Sequence, residues 1–297
     1  MTFGDRLADA VERADSALCV GLDPRIEFLP PRLIAGLHAG AAGRARAYER
    51  FCRAVVDAVA GEAVAVKPQV AFFEELGGVG LSALERVCDH ARDAGLLVVV
   101  DAKRGDIDST AEAYARAWLV PRDGRPAVAD ALTVNPYLGG DSLAPFLAAC
   151  REGAGLFVLV RTSNPGGADV QEARLEDGRL LWERTASLVD AWGSELVGDS
   201  GLSAVGAVVG ATYPEVVERA RELMPRAPML LPGVGVQGGQ ARQLAAAFAN
   251  HPAGGLVAVS RSIIYAWRER GGDWQQAVRA AAAEHRQAIP RAARLPS

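Results

Sequence analysis

Residues 96–106 read Leu-Leu-Val-Val-Val-Asp-Ala-Lys-Arg-Gly-Asp, an uninterrupted apolar run that ends in a cluster of charged residues. A short run that is apolar at every position is typical of a parallel strand buried on both faces, whereas a half-exposed antiparallel strand alternates apolar and polar residues. The charged residues that follow then lie at the carboxyl end of that strand. This stretch therefore predicts a buried parallel strand with functional groups at its end.

Similar runs recur along the chain, with enough residues between neighbours for a helix. The runs are Ala17–Leu22, Ala63–Val66, Leu96–Val100, Ala131–Val134, Leu156–Val160, Val205–Val209, Met229–Leu231 and Leu256–Val259. This β-then-α pattern predicts an α/β fold, a single (β/α)8 TIM barrel with residues 1–297 as one domain, and an open doubly wound sheet is the alternative. Val20-Gly21-Leu22-Asp23 lacks the GxGxxG turn of a dinucleotide-binding domain, which disfavours the open sheet.

Three segments exceed ordinary connections, namely residues 24–48, 114–130 and 164–204. Each contains helical periodicity, so we expect extended loops with helices of their own. Leu81–Asp93 predicts a helix, and Ser109-Thr-Ala-Glu112 has the form of a capping box that opens another helix.

Composition and charge exclude several classes of protein. Lys plus Arg (32) against Asp plus Glu (36) leaves a net charge of -4, which favours neither nucleic acid nor an anionic membrane as a partner. The N-terminus is charged where a signal peptide is apolar, and no stretch is apolar enough to span a membrane. The widely spaced cysteines show no zinc-binding pattern and predict reduced core thiols in a cytoplasmic protein: Cys19, Cys52, Cys88 and Cys150.

Active sites of barrel enzymes lie at the carboxyl ends of the strands, where this sequence is strongly polar. Taken singly, Asp23 can begin a turn, Asp106 can cap a helix, and Lys67 can extend to solvent. Those roles do not explain why two lysines and three aspartates follow three consecutive strands: Asp23, Lys67, Asp101, Lys103 and Asp106. If the extended conformation continues, Asp101 and Lys103 leave the same face of their strand as neighbours. We therefore expect alternating ammonium and carboxylate groups, which can stabilise a developing carbanion and repel a substrate carboxylate.

The loops after the seventh and eighth runs have the composition of a phosphate site. Glycine-rich residues 233–239 are followed later by Ser260-Arg261-Ser262. Backbone N–H groups of a glycine loop can approach an anion, and an arginine binds its oxygens with a planar fork. Because barrels often bind phosphate with these two loops, we expect a phosphorylated substrate.

The segment from Asp101 to Thr110 resembles the DxKxxDI signature of the orotidine 5'-phosphate decarboxylase family. Four other segments match in the same order, namely Leu22-Asp23, Val66-Lys67, residues 162–166, and residues 232–237 followed by 260–263. The long loops resemble the longer bacterial subfamily. The resemblance implies a barrel that converts orotidine 5'-monophosphate to UMP and CO2 without a cofactor or a metal.

The resemblance also implies roles for individual residues. Lys103 would protonate C6 of the pyrimidine, Asp101 would crowd the substrate carboxylate, and Lys67 would bridge the charge array and the ribose. The binding residues implied are Asp23 for a ribose hydroxyl, Ser163 for the pyrimidine edge, Gln237 between pyrimidine and phosphate, and Ser260 with Arg261 at the phosphate. Asp106, Ile107 and Thr110 would enter the partner subunit's site, which implies a homodimer with shared active sites.

Two other functions are weighed against this one. A metal-dependent sugar-phosphate lyase of the same superfamily resembles the motif but carries an acidic metal ligand after the second strand, where this chain has Lys67. A cation there repels a divalent metal. A non-catalytic phosphate-binding barrel would need Gln237 and Arg261 but would have no use for Lys103 among three acids.

Overall fold

The barrel is closed by eight parallel strands arranged in chain order. The computed structural model describes residues 1–211, 214–233 and 242–289. Each strand pairs with the next, and the eighth pairs with the first. The strands are β1 Leu18–Leu22, β2 Ala65–Pro68, β3 Leu97–Arg104, β4 Ala131–Val134, β5 Gly155–Arg161, β6 Val205–Val209, β7 Met229–Pro232 and β8 Gly255–Val259. The predicted (β/α)8 barrel is confirmed, and the open sheet is wrong.

Helices surround the barrel. They are α1 Phe3–Ala14, α2 Pro31–Ile34, α3 Ala41–Val59, α4 Ala71–Glu74, α5 Gly78–Asp93, α6 Asp108–Leu119, α7 Gly140–Arg151, α8 Ala168–Gln171, α9 Leu181–Gly193, α10 Pro214–Leu223, α11 Arg261–Ile264, α12 Trp267–Arg270 and α13 Trp274–Ala288. Short 3₁₀ segments lie at Ile26–Phe28, Pro165–Gly167 and Arg242–Phe248. Among the helices of the described ranges, none is both long and apolar enough to cross a membrane.

The apolar runs become strands because both of their faces are covered. Every residue of β1, β4 and β6 is buried between the barrel interior and the surrounding helices. The predicted strands agree with the structure to within one or two residues, except that β3 continues to Arg104. The first charged residues after Val100 therefore belong to the strand itself.

The extended segments contain helices, as predicted. Residues 24–48 include α2 and the beginning of α3, and residues 164–204 include α8 and α9. The predicted capping box at Ser109 is wrong, because α6 begins at Asp108 and Ser109 lies inside its first turn. Ile107 takes the N-cap position in an extended conformation, and its carbonyl accepts hydrogen bonds from the N–H groups of Thr110 and Ala111.

Helix α1 covers the amino-terminal end of the barrel. Phe3 packs edge-on against Phe157 of β5, with ring centroids 5.9 Å apart. Arg6 pairs with Asp130 at 2.5 Å, immediately before β4. The carboxyl ends of the strands lie at the opposite end, where the predicted site residues are found.

Candidate active site

A buried carboxylate between two lysines forms the centre of the site. Asp101 on β3 accepts hydrogen bonds from Lys67 Nζ on β2 at 2.7 Å and from Lys103 Nζ at 2.5 Å. Lys67 and Asp101 are buried, whereas the Lys103 side chain is 45% exposed. Lys67, Asp101 and Lys103 of the predicted array are therefore brought together within one chain, and of these three only Lys103 is open to solvent.

Burial and the neighbouring charges shift the pKa values of Asp101 and Lys67 in opposite directions. Burial alone would raise the pKa of Asp101, but the ammonium groups of Lys67 and Lys103 outweigh it and hold that pKa well below its usual range. Burial would likewise lower the pKa of Lys67, but Asp101 and Asp23 outweigh it and raise that pKa. Lys67 and Asp101 therefore remain charged across the neutral pH range.

Two further side chains complete the surroundings of Asp101, and sequence reasoning missed both. Thr133 on β4 donates from Oγ1 to Asp101 Oδ1 at 3.0 Å, and Gln69 Nε2 donates to Oδ2 at 3.2 Å. With the two lysines, these groups supply four donors to a carboxylate that has about four acceptor positions. Gln69 could have been found by following the second run two residues beyond Lys67. Thr133 could have been found as the one hydroxyl inside an apolar run.

Asp101 and Lys103 lie close together because of a turn in the backbone, and not because the strand continues in the extended conformation that the sequence predicted. The two side chains are neighbours, but the strand is not extended between them, because Lys103 has a left-handed backbone with φ of +48°. The pairing of β3 with β4 shifts between Val100 and Arg104, which is the mark of a bulge. The bulge turns the Lys103 side chain back onto Asp101.

Asp23 lies at the end of β1 and is joined to the start of the loop after β8. Ser260 Oγ donates to Asp23 Oδ2 at 2.6 Å, and the Tyr265 hydroxyl donates to the Asp23 carbonyl at 2.7 Å. Within the part of the chain that the structure describes, the buried Asp23 Oδ1 has no hydrogen-bond partner. This oxygen can accept a hydrogen bond from a bound molecule.

A cleft of about 1120 Å³ brings several predicted residues together. Asp23, Lys67, Ser260 and Arg261 line it, and Gly233 of the predicted phosphate loop lies at its edge. Arg261 is exposed. Gln237 lies outside the described residues. The cleft thus joins one end of the charge array to the described part of the predicted phosphate site.

Six predicted residues are not among the described residues that line the cleft: Asp101, Lys103, Asp106, Ile107, Thr110 and Ser163. Asp101 and Lys103 are joined to it through Lys67, which does line it. Asp106 Oδ1 accepts a hydrogen bond from the N–H of Ile107 at 2.8 Å, and the Ile107 side chain is exposed. Thr110 is exposed in the first turn of α6.

The segment after β5 presents Ser163 as an exposed residue. Arg161 is buried and pairs with Glu172 at 2.5 Å. Gln171 holds the same segment by accepting from the N–H of Thr162 at 2.9 Å. Gly210 allows Ser163 to pass close by, because a Cβ there would lie 2.8 Å from the Ser163 nitrogen.

A second cleft, of about 890 Å³, lies at the other end of the barrel. It is bordered by α1 and by the segments that precede β1 and β8. Its polar residues are mainly acidic and include Asp5, Asp9 and Glu12. The alternating lysine and aspartate groups lie in and beside the cleft at the carboxyl ends, so that cleft is the candidate active site.

Comparison with known proteins agrees with this geometry. The sequence model described as "Orotidine 5'-phosphate decarboxylase / HUMPS family" matches residues 16–272. The orotidine 5'-phosphate decarboxylase of Rhodopirellula baltica is 46% identical over 95% of this chain and 96% of its own length. That of Deinococcus radiodurans is 45% identical over 89% and 90%. The OMP decarboxylase structure from Leishmania donovani superposes with a TM-score of 0.75 at 35% identity, covering 97% of this chain and 96% of its own. The barrel, the order of its motifs and these matches together mean that the chain belongs to the orotidine 5'-phosphate decarboxylase / HUMPS family.

Proposed function

We propose that this protein decarboxylates orotidine 5'-monophosphate to UMP and CO2, with Lys103 as the proton donor. The observation that supports the proposal is the ion pairing of Asp101 with both Lys67 and Lys103 at the carboxyl ends of the strands. Relatives named for this activity share 45–46% of their residues with the chain. A phosphate-binding barrel without catalysis would have no use for a buried carboxylate between two lysines.

The chemistry follows from the charges. The bond between C6 and the carboxylate carbon breaks, CO2 leaves, and the electron pair stays on C6 as a carbanion without an adjacent carbonyl to accept it. The Lys103 ammonium lies beside this position, stabilises the negative charge and transfers a proton to C6. The resulting neutral amine regains a proton from water. Asp101, placed where the substrate carboxylate would approach, disfavours the bound carboxylate more than the departing neutral CO2.

Binding is assigned to the rest of the cleft. Asp23 Oδ1, which has no hydrogen-bond partner among the described residues, accepts from a ribose hydroxyl, and Lys67 links the ribose to the array. Arg261 and Ser260 hold the phosphate, with Gln237 between phosphate and pyrimidine, and Ser163 contacts the pyrimidine edge. Because the phosphate lies far from C6, its binding energy can hold the pyrimidine against Asp101 and Lys103.

A homodimer with shared active sites belongs to the same proposal. Ile107 is 49% exposed, and after the neighbouring strand Tyr137 is 81% and Leu138 47% exposed. Exposed large apolar side chains after two neighbouring strands are typical of a surface covered by a partner. Asp106 and Thr110 lie within three residues of Ile107 in the chain and would reach the partner's cleft. Location in the cytoplasm is also proposed, supported by four cysteines that are buried as free thiols.

The proposal is tested with Lys103→Ala, assayed with orotidine 5'-monophosphate in excess chelator. The wild-type chain is expected to retain full turnover under chelation. The variant is expected to lose about 100- to 10,000-fold in kcat, the usual contribution of a general acid, while it still binds UMP. Loss of the pyrimidine absorbance measures turnover, and calorimetric titration measures UMP binding.

Arg261→Ala is the contrasting variant, because it removes a charge that lines the cleft at the proposed phosphate site. It is expected to raise KM far more than it lowers kcat. Near-normal turnover of Lys103→Ala would refute the proton-donor assignment. Wild-type activity that disappears with chelator and returns with Mg²⁺ would support the metal-dependent lyase instead.

A further inference from the structure

The bulge in β3 lies directly opposite Thr133. Val100 pairs with Leu132 and Arg104 pairs with Val134, so three residues of β3 face one residue of β4. The middle and last of the three, Ala102 and Lys103, donate their backbone N–H groups to Thr133 Oγ1 at 3.0 and 2.9 Å. The threonine hydroxyl thus accepts hydrogen bonds that backbone carbonyls of the neighbouring strand would accept in a regular pairing.

Every hydrogen-bonding position of the Thr133 hydroxyl is occupied. A hydroxyl has one hydrogen to donate and two acceptor positions. Since two N–H groups can only donate to it, both acceptor positions are occupied, and its own hydrogen is directed to Asp101 Oδ1 at 3.0 Å. The same carboxylate oxygen accepts from Lys103 Nζ at 2.5 Å. Thr133 is 1% exposed, so water does not replace any of these partners.

We infer that Thr133 is the positioning residue that sets the proton donor and its carboxylate partner relative to each other. Its single oxygen fixes the backbone of Lys103 and the side chain of Asp101 simultaneously. The inference rests on the catalytic roles proposed above for those two residues. Thr133 itself acts through them and is not placed in contact with the substrate.

Removal of the hydroxyl takes a hydrogen-bond partner from three groups, namely the N–H groups of Ala102 and Lys103 and Oδ1 of Asp101. The left-handed conformation of Lys103 is disfavoured for a residue with a side chain and persists only while its surroundings hold it. Without Thr133 the turn can relax, and Lys103 Nζ moves relative to C6. A displacement of about 1 Å in a catalytic group can lower the rate about 100-fold.

Two matched pairs of residues at position 133 test the inference. Thr133→Val exchanges the hydroxyl for a methyl group of similar size, and Thr133→Ser compared with Thr133→Ala differs by the hydroxyl alone. The two hydroxyl-free variants are expected to lose about 100-fold in kcat with little change in the dissociation constant of UMP. Thr133→Ser is expected to keep kcat close to wild type.

The number of UMP-binding sites per chain gives the folded fraction, and kcat is expressed per folded site. Equal kcat for Ser and Ala, or a Val variant with wild-type kcat, overturns the inference. Hydroxyl-free variants without any UMP-binding sites also overturn it, because Thr133 then serves folding rather than positioning. Lys103→Ala is assayed alongside: if that variant stays active, the proposed proton donor is wrong, whatever the results at position 133.

Discussion

Gly21 has no side chain where β1 passes close to Ser260, at the start of the loop after β8. A Cβ at this position would lie 2.7 Å from Ser260 Cβ and 3.0 Å from Ser260 Oγ. Ser260 Oγ donates to the Asp23 carboxylate at 2.6 Å and lies 3.2 Å from the Gly21 carbonyl oxygen. The absence of one methyl group in β1 therefore allows the proposed ribose and phosphate residues to contact each other.

Gly21→Ala is expected to push Ser260 away from Asp23 and to raise KM for orotidine 5'-monophosphate more than it lowers kcat. We also expect a loss of about 1–3 kcal/mol in the free energy of unfolding, which is typical of an extra methyl group in a packed interior. Steady-state kinetics and urea unfolding measure the two effects.

Gly61→Ala is the matched control, because among the described residues, apart from its chain neighbours, no atom lies within 4 Å of a Cβ at that position. Its kinetics and stability are expected to stay close to wild type. Wild-type KM in Gly21→Ala would show that Ser260 yields without consequence and that its contact with Asp23 does not support binding.

Helix α10 is tied to the strands on either side of the predicted phosphate loop by one buried side chain. Arg221 donates to the carbonyls of Met224, Ala227, Ala247 and Gly254 at distances of 2.7 to 2.9 Å. Burial lowers its pKa to about 10, so it remains charged at neutral pH. The carbonyls belong to the end of α10 and to the segments that lead into β7 and β8.

Arg221→Met is expected to destabilise the protein by at least about 3 kcal/mol, because several buried carbonyl oxygens lose their donor together. Urea unfolding followed by circular dichroism measures the loss. Arg219→Met is the control on the same helix, since Arg219 makes surface ion pairs with Glu183 and Glu222. Its expected loss is below about 1 kcal/mol. Equal losses for the two variants would mean that the carbonyl contacts of Arg221 add nothing beyond an ordinary surface arginine.

The sequence correctly predicted the strands that are buried on both faces along their whole length. A strand such as β6 is covered on both faces, so its composition alone identifies it. The end of β3 could not be predicted in this way, because its shape depends on Thr133, a residue thirty positions later on another strand. The charge array was predicted because its residue types are unusual at a strand end. Its left-handed turn was not predicted, since lysine rarely adopts that conformation.

At the scale of the whole molecule, the shared site makes a prediction about mixtures of inactive chains. If each site takes Lys103 from one subunit and Asp106 from the other, then Lys103→Ala and Asp106→Ala are each inactive alone. In a mixed dimer one site carries both substitutions and the other carries neither. Random exchange makes half of the dimers mixed, so about a quarter of wild-type activity is expected after equal amounts are unfolded and refolded together.

Each variant refolded alone is the control, and the activity of the mixture is compared with the sum of the two. Mass spectrometry under native conditions measures the fraction of mixed dimers. Mixed dimers without activity would mean that Asp106 serves the cleft of its own subunit. A chain that stays monomeric at assay concentration and is fully active would refute the shared site itself.

The position of α1 has a consequence for synthesis on the ribosome. Phe157, on which the ring of Phe3 packs, is synthesised about 150 residues after Phe3. At about 5–20 residues per second, that interval is roughly 8 to 30 s. Asp130, the partner of Arg6, is also made long after the helix. The end of the barrel that α1 covers can therefore close only after Phe157 has been translated.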